Sequence, residues 1–230
     1  MIMNLLIVAA MKQELDLLIE ACNAETGRSV AGYGHSFGTF GKHTVRIGIT
    51  GIGIASASMA LGAFCAIDVP EAAIMVGSAG LFPGFGLSVG DLVVAQAEVL
   101  SELGVVSGPG IGDGGLLKLS GVEQEIPLDR GLCGQVAEAA KEVASVFCGR
   151  SLTVTGASAN RDQALLRVKQ FGALIENMEG YALALAGQRF GIPTAEIRGI
   201  SNEAGDRNRS NWDFETAMAL PQKAVLEFLL

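Results

Sequence analysis

Short, wholly apolar runs alternate along this chain with stretches that carry apolar residues at helical spacing, and few architectures accommodate that alternation. Residues 4–10, "NLLIVAA", have no polar face after the leading asparagine, as expected of a strand covered on both sides. Residues 12–22 follow, with Leu15, Leu18, Ile19 and Cys22 on one helical face. The exchange continues to the end. Strands are expected within 30–49 (two short ones, the second "HTVRIGI") and at 72–80, 90–100, 151–155, 173–178 and 194–200. Helices are expected at 53–67, 131–147, 161–170 and 180–190, with a last one from about 213. This βαβα order predicts one α/β domain over residues 1–230, a three-layer α/β/α sandwich around a mixed, largely parallel sheet. The glycine-rich stretch 104–125 reads as a mobile surface insertion. No linker or internal repeat interrupts the pattern.

Composition narrows the function. Mean hydropathy is +0.41 and 17% of the 230 residues are charged, which predicts a large core and an apolar surface covered by another subunit. A net charge of −8 disfavours a nucleic-acid partner. No apolar run approaches the roughly 18 residues of a membrane span. The first apolar run lacks the basic lead-in of a secretory signal. Cys22, Cys65, Cys133 and Cys148 are widely spaced in settings read as helical, so buried free thiols in a reducing cytoplasm are expected. Two histidines without ligand spacing predict no metal site.

In such sheets ligands gather at the carboxyl ends of the strands, and the candidate residues lie there. "TGIGIAS" departs from a dinucleotide fingerprint at Ser56 and follows the second β element, so it reads either as a Gly-rich strand-to-helix turn allowing close backbone approach or simply as a tight turn. "VGSAG" is either close packing or a ligand-facing backbone. Glu14 is either a helix-dipole acid or a functional carboxylate. The same holds for Glu179, which in the second reading accepts from two adjacent hydroxyls. Arg198, inside a buried strand, implies a partner carboxylate, with Glu14 a candidate. No Ser-His-Asp set or phosphate-binding P-loop occurs.

Taken together, "AAMKQELDLL", "GSAG", "VGDLVV", "ENMEG" and "IPTAEIRGISNEAGDR" resemble the nucleoside phosphorylase/nucleosidase superfamily nearly end to end. The first segment is similar to the opening of its methylthioadenosine/S-adenosylhomocysteine nucleosidases. The run Ile200-Ser201-Asn202 through Gly205-Asp206-Arg207, followed by Trp212-Asp213, resembles its futalosine hydrolase branch. The resemblance implies a small purine nucleoside as substrate, no cofactor, and a homodimer or higher homo-oligomer. It implies that Glu14 activates the attacking water and that Met178 and Glu179 hold the ribose. Ser78, Ala79 and Gly80 would line the sugar site, and Arg198 would orient Glu14. Asn202 stands where the adenine-cleaving relatives carry an aspartate. Asn202 cannot itself be the acid, so the proton for the leaving base is expected from solvent or from Asp206, and Arg207 or Arg209 is a candidate partner for the carboxylate of the substrate's benzoate arm. Two departures stand out. Tyr181 replaces a small residue, and the loop 154–162 offers no aromatic to stack on the base. A methylthioadenosine/S-adenosylhomocysteine nucleosidase, a phosphorylase and a non-catalytic nucleoside-binding protein stay open as alternatives.

Overall fold

The structure, a computed structural model, describes residues 3–101, 103 and 123–230. The expected insertion over 104–125 therefore lies outside the described residues, except for its last three. Ten strands are present among the described residues: β1 (Asn4–Ala9), β2 (Glu25–Thr26), β3 (His35–Phe40), β4 (His43–Ile49), β5 (Ala72–Leu81), β6 (Leu92–Leu100), β7 (Glu125–Pro127), β8 (Val146–Thr153), β9 (Ile175–Asn177) and β10 (Thr194–Glu203). The helices are α1 (Asp16–Ala21), α2 (Ile54–Ile67), α3 (Arg130–Ala140), α4 (Arg161–Phe171), α5 (Gly180–Phe190) and α6 (Phe214–Phe228).

The sheet is mixed and one domain carries it, as the alternation predicts. Its order is β10-β6-β8-β9-β5-β1-β4-β3-β2, and β10 also pairs with β5. That last pairing closes β5, β10, β6, β8 and β9 into a ring. Strands β4, β1, β5 and β10 run parallel, as do β6, β8 and β9. Helix α2 packs on α5, while α6 packs on α1 and α3. Side-chain caps mark the helix starts: Asp129 accepts from Leu132 N, Asn160 from Gln163 N and Asp213 from Thr216 N. Helix α2 has no charged residue and is apolar on every side, and Ile52, Met59 and Ile67 near or on it are exposed. Among the described residues no helix is long and apolar enough to cross a membrane.

Several boundaries differ from expectation, and three of them are informative. The helix predicted over 131–147 stops at Ala140, because residues from Val146 pair in parallel with β6, Leu92 opposite Val146. Tertiary pairing here overrides helical spacing. Cys148 consequently sits on a strand and is exposed, while Cys22, Cys65 and Cys133 are buried free thiols. The helix predicted over 12–22 breaks at Leu15 (φ −128°, ψ −5°) into a 3-10 turn, Lys12–Glu14, and α1. Strand β10 runs three residues past its predicted end, to Glu203.

Glycine at 199 lets α6 seat on β10, since a Cβ there would fall 2.2 Å from Ala217 O. Gly199→Val is expected to destabilise the fold by about 1–3 kcal/mol, the usual cost of overpacking. The denaturation midpoint measures this, and an unchanged midpoint would show that α6 does not rest on Gly199.

Candidate active site

A cavity of about 380 Å³ opens at the carboxyl ends of β1, β5 and β10. Glu14 reaches it from the 3-10 turn that follows β1. Its side chain is only 2% exposed, yet both carboxylate oxygens are bonded. Oε1 accepts from Ser78 N (3.0 Å) and Ser78 Oγ (3.2 Å), and Oε2 accepts from Met11 N (3.1 Å). Burial pushes the Glu14 carboxyl above the usual carboxylate range, against the Arg198 charge and the N–H groups of Ser78 and Met11, and Glu179 adds repulsion. The result is a carboxylate with raised basicity facing a cavity, the property a general base needs. Its neighbours Ser78, Ala79 and Gly80 line the same wall.

Glu179 and Met178 enter from the turn between β9 and α5. Glu179 Oε1 accepts from Gly53 N (2.9 Å), and Oε2 faces Arg198 Nη1 at 3.4 Å. The expectation that Glu14 pairs with Arg198 needs correction. The guanidinium bonds Glu196 Oε1 through Nε (2.7 Å) and Glu179 through Nη1, and it acts on Glu14 through its charge alone. Burial opposes its charge, but Glu196, Glu179 and Glu14 together outweigh that penalty and raise its pKa. Arg198 is a fixed cation.

Asn202 lines the cavity together with Ser201. Adjacent strand residues normally point to opposite faces. A register shift against β5 between Ile200 and Asn202 allows both to reach this wall. Asn202 Oδ1 accepts from Ser201 Oγ (2.7 Å), and Nδ2 donates to Glu203 O (2.8 Å). One N–H and one lone pair of the amide remain for a ligand. Beyond it, Arg207, Trp212 and Phe214 form a further wall. The Arg207 guanidinium lies 5.1 Å from the Trp212 ring centroid, and Trp212 meets Phe214 edge-on at 5.3 Å. Asp206 and Arg209 do not line the cavity. The Asp206 carboxylate accepts from Asn211 Nδ2 and Asn208 N, which hold it below the usual carboxylate range. It organises its own turn and is poorly suited to deliver a proton.

The match to the phosphorylase superfamily covers residues 4–229. The chain belongs to the phosphorylase superfamily. It is 36% identical over 184 residues to futalosine hydrolase of Thermus thermophilus, covering 78% of this chain and 79% of that one. It is 28% identical to 5′-methylthioadenosine/S-adenosylhomocysteine nucleosidase of Anoxybacillus flavithermus, over 97% of this chain and 94% of the relative. Among solved structures, the methylthioadenosine/S-adenosylhomocysteine nucleosidase of Streptococcus pneumoniae in complex with 8-aminoadenine superposes with a TM-score of 0.86, at 26% identity, covering 99% of each chain.

Within this superfamily fold, two cavity residues of the "ENMEG" segment receive no role from the sequence. Asn177 is buried, and its Oδ1 accepts from Glu179 N (2.8 Å) and Gly180 N (2.7 Å), so it sets the turn that presents Met178 and Glu179. An asparagine three residues before a helix start is a recognisable turn signal. Glu176 carries no comparable signal. Its carboxylate takes Ser158 N, Ser158 Oγ and Arg167 Nη1, and Arg167 Nη2 bonds Gly156 O. These bonds shape the loop whose Val154 and Ala157 line the cavity. Trp212 and Phe214, from outside that loop, are aromatic residues of the cavity lining. The chain's lone tryptophan, set in a polar loop, was the available clue.

Proposed function

We propose that this protein hydrolyses the N-glycosidic bond of futalosine and releases hypoxanthine, a step of the alternative menaquinone pathway. The observation that carries the reading is the buried carboxylate of Glu14, bonded by Ser78 and Met11, sharing one cavity with Glu179 and with the neutral amide of Asn202. Glu14 takes a proton from the water that attacks the anomeric carbon. Positive charge builds on the ribosyl ring as the bond breaks, and the carboxylates of Glu14 and Glu179 stabilise it. Glu179, held by Gly53 N and Arg198, accepts from the ribose hydroxyls while Met178 packs beside the sugar. Ser78, Ala79 and Gly80 bound the site of the attacking water.

Water rather than phosphate is favoured as nucleophile because Arg198, the cation beside Glu14, is committed to Glu196 and Glu179, and Lys12 pairs with Asp16 in an exposed contact. The futalosine assignment draws support from the 36% identical relative and from Asn202. The aromatic wall of Trp212 and Phe214, with Arg207 beside it, suits an aromatic carboxylate arm on the substrate. A methylthioadenosine/S-adenosylhomocysteine nucleosidase is the second reading, supported by similarity over 97% of the chain. The exposed apolar residues around α2 support a homo-oligomer, and the three buried thiols suit a reducing cytoplasm.

Incubating the protein with futalosine, inosine and methylthioadenosine, with and without phosphate, and assaying free base tests the assignment. Futalosine is expected to react fastest, without phosphate, and Arg207→Ala is expected to shrink the futalosine-to-inosine preference. Release that requires phosphate and yields ribose 1-phosphate would instead establish a phosphorylase, and no release from any substrate would establish a binding protein.

Glu14→Gln is expected to fold and to lose about 10²–10⁴-fold in kcat, the usual cost of a missing general base. In the wild type, activity is lost as pH falls through the raised Glu14 pKa, because protonation consumes the base. The pH–rate profile checks both points, and a near-normal rate in the variant would reduce Glu14 to a structural acid.

Asn202 gives the sharpest specificity test. Hypoxanthine presents O6 as an acceptor, which the free N–H of Asn202 meets, and the amide oxygen faces N7, which takes its proton from solvent as the glycosidic bond breaks. Adenine presents a donor at that edge and leaves a polar group unpaired, which costs about 1–3 kcal/mol, roughly 5- to 150-fold in kcat/KM. Asn202→Asp is expected to move preference from futalosine toward its 6-amino counterpart. A wild-type preference for the amino form would refute this reading of Asn202.

A further inference from the structure

Beneath the cavity floor, two glutamates that play no part in the chemistry above lie together. Glu98 on β6 and Glu196 on β10 are both 0% exposed. Their oxygens converge beside Gly180, where a Cβ would come within 2.3 Å of both Glu98 Oε1 and Glu196 Oε2. That approach explains why α5 begins with glycine. Glu196 Oε1 is bonded by Arg198 Nε at 2.7 Å. Glu196 Oε2 is buried and has no hydrogen-bond donor. Glu98 meets only neutral donors on its other side: Thr153 Oγ1 at 2.5 Å on Oε2 and Asn177 Nδ2 at 2.8 Å on Oε1. The Thr153 hydroxyl accepts from Tyr181 N and therefore has its hydrogen free for Glu98.

Two ionised carboxylates in this contact, out of water, would repel each other and leave Glu196 Oε2 unsatisfied. One proton on Glu98, donated to Glu196 Oε2, removes both penalties. It belongs on Glu98 because Glu196 already has the guanidinium. Burial first, then the Glu196 charge, pushes the Glu98 carboxyl well above the usual range. The other groups facing the pair leave this assignment intact. From β10 comes Arg198, and beyond it lie Glu179 and Glu14. Strands β8 and β9 contribute the neutral Ser151, Thr153 and Asn177. From α3 comes the Cys133 thiol, pushed up to about 12 by burial, Asp129 and Glu196, and hence uncharged. The Tyr181 phenol is turned to Glu123 O.

We propose that Glu98 and Glu196 hold a single proton between them, and that this pair positions Arg198 against Glu179 from below. With Glu98 neutral, Glu196 directs its one charge to Arg198 Nε, and Nη1 is left to face Glu179. Ionising Glu98 would set a fourth carboxylate against one guanidinium and draw Arg198 away from the ribose-binding acid. Both glutamates are positioning residues that act through Arg198.

Three measurements on the full chain test the pair. At neutral pH the infrared difference spectrum between wild type and Glu98→Gln is expected to contain the C=O stretch of a protonated carboxyl, and its absence overturns the proposal. Second, an acid whose folded pKa is raised stabilises the fold fully below its unfolded pKa, and that stability is lost as pH rises through the folded value. Wild-type melting temperature is therefore expected to fall more steeply toward alkaline pH than that of Glu98→Gln, and parallel slopes overturn the proposal. If Glu98→Gln does not fold, Glu196→Gln serves instead. Its amide donates to an ionised Glu98, so the carboxyl band is expected to vanish, and its persistence overturns the proposal. The third measurement rests on the nucleosidase reading, whereas the first two do not. The alkaline limb of kcat/KM is expected to move to higher pH in Glu98→Gln, and an unmoved limb refutes the link to Arg198.

Discussion

A single buried guanidinium makes the rest of the site possible. Arg198 lies among Glu14, Glu179 and Glu196, three carboxylates removed from water. Without a cation there, each additional negative charge would raise the cost of the others, and the carboxyls would neutralise instead. The surroundings are shaped to admit it. Gly77 has no side chain where a Cβ would come within 2.5 Å of Arg198 Nη1, and Met75 offers its sulfur to Nη2 at 3.1 Å. Both residues belong to β5, and Arg198 pairs with Gly77 in register. The β5–β10 pairing therefore closes the ring of strands and also creates the socket for the guanidinium.

The same constraint divides labour within the cavity. Ser78 and Asn202 stand on strands, while Glu14 and Glu179 stand at tight turns fixed by hydrogen bonds to Ser78, Met11, Asn177 and Gly53. Rigid mounting suits the groups proposed to act on the glycosidic bond, because small displacements of a catalytic group are costly. Arg207 and Trp212 come from the segment between β10 and α6, and Phe214 opens α6; the segment is held through Trp212 Nε1 on Asp206 O and the Asp206 carboxylate on its own turn. A loop can change its side chains without disturbing the sheet.

Acids at strand ends were legible one by one, and so was a buried arginine in need of a partner. Their pairing was not. Glu14 read equally well as a helix-dipole acid, since nothing local to "AAMKQE" reveals that Ser78 will lie within hydrogen-bond reach. Asp206 read as one of two proton sources because Asn202 cannot itself be the acid, yet turn chemistry directs its carboxylate to Asn208 and Asn211. Glu98 gave no signal at all, because an acid at an alternating position in "LVVAQAEVL" looks like a solvated strand residue.

The sequence by itself determined the alternation of strands and helices apart from the short strands β2 and β7, the single α/β domain, and the set of short motifs at the strand ends, because side-chain periodicity and turn chemistry are local properties. Tertiary structure alone decided where the helix from Arg130 stops, that Cys148 is exposed, that Arg198 pairs with Glu196 and Glu179, and that Trp212 and Phe214 wall the cavity. Each of these depends on a partner strand or loop distant along the chain. Burial and Coulomb interactions depend on distance in space, and only the pairing of β10 with β5, and of β8 with β6, sets those distances.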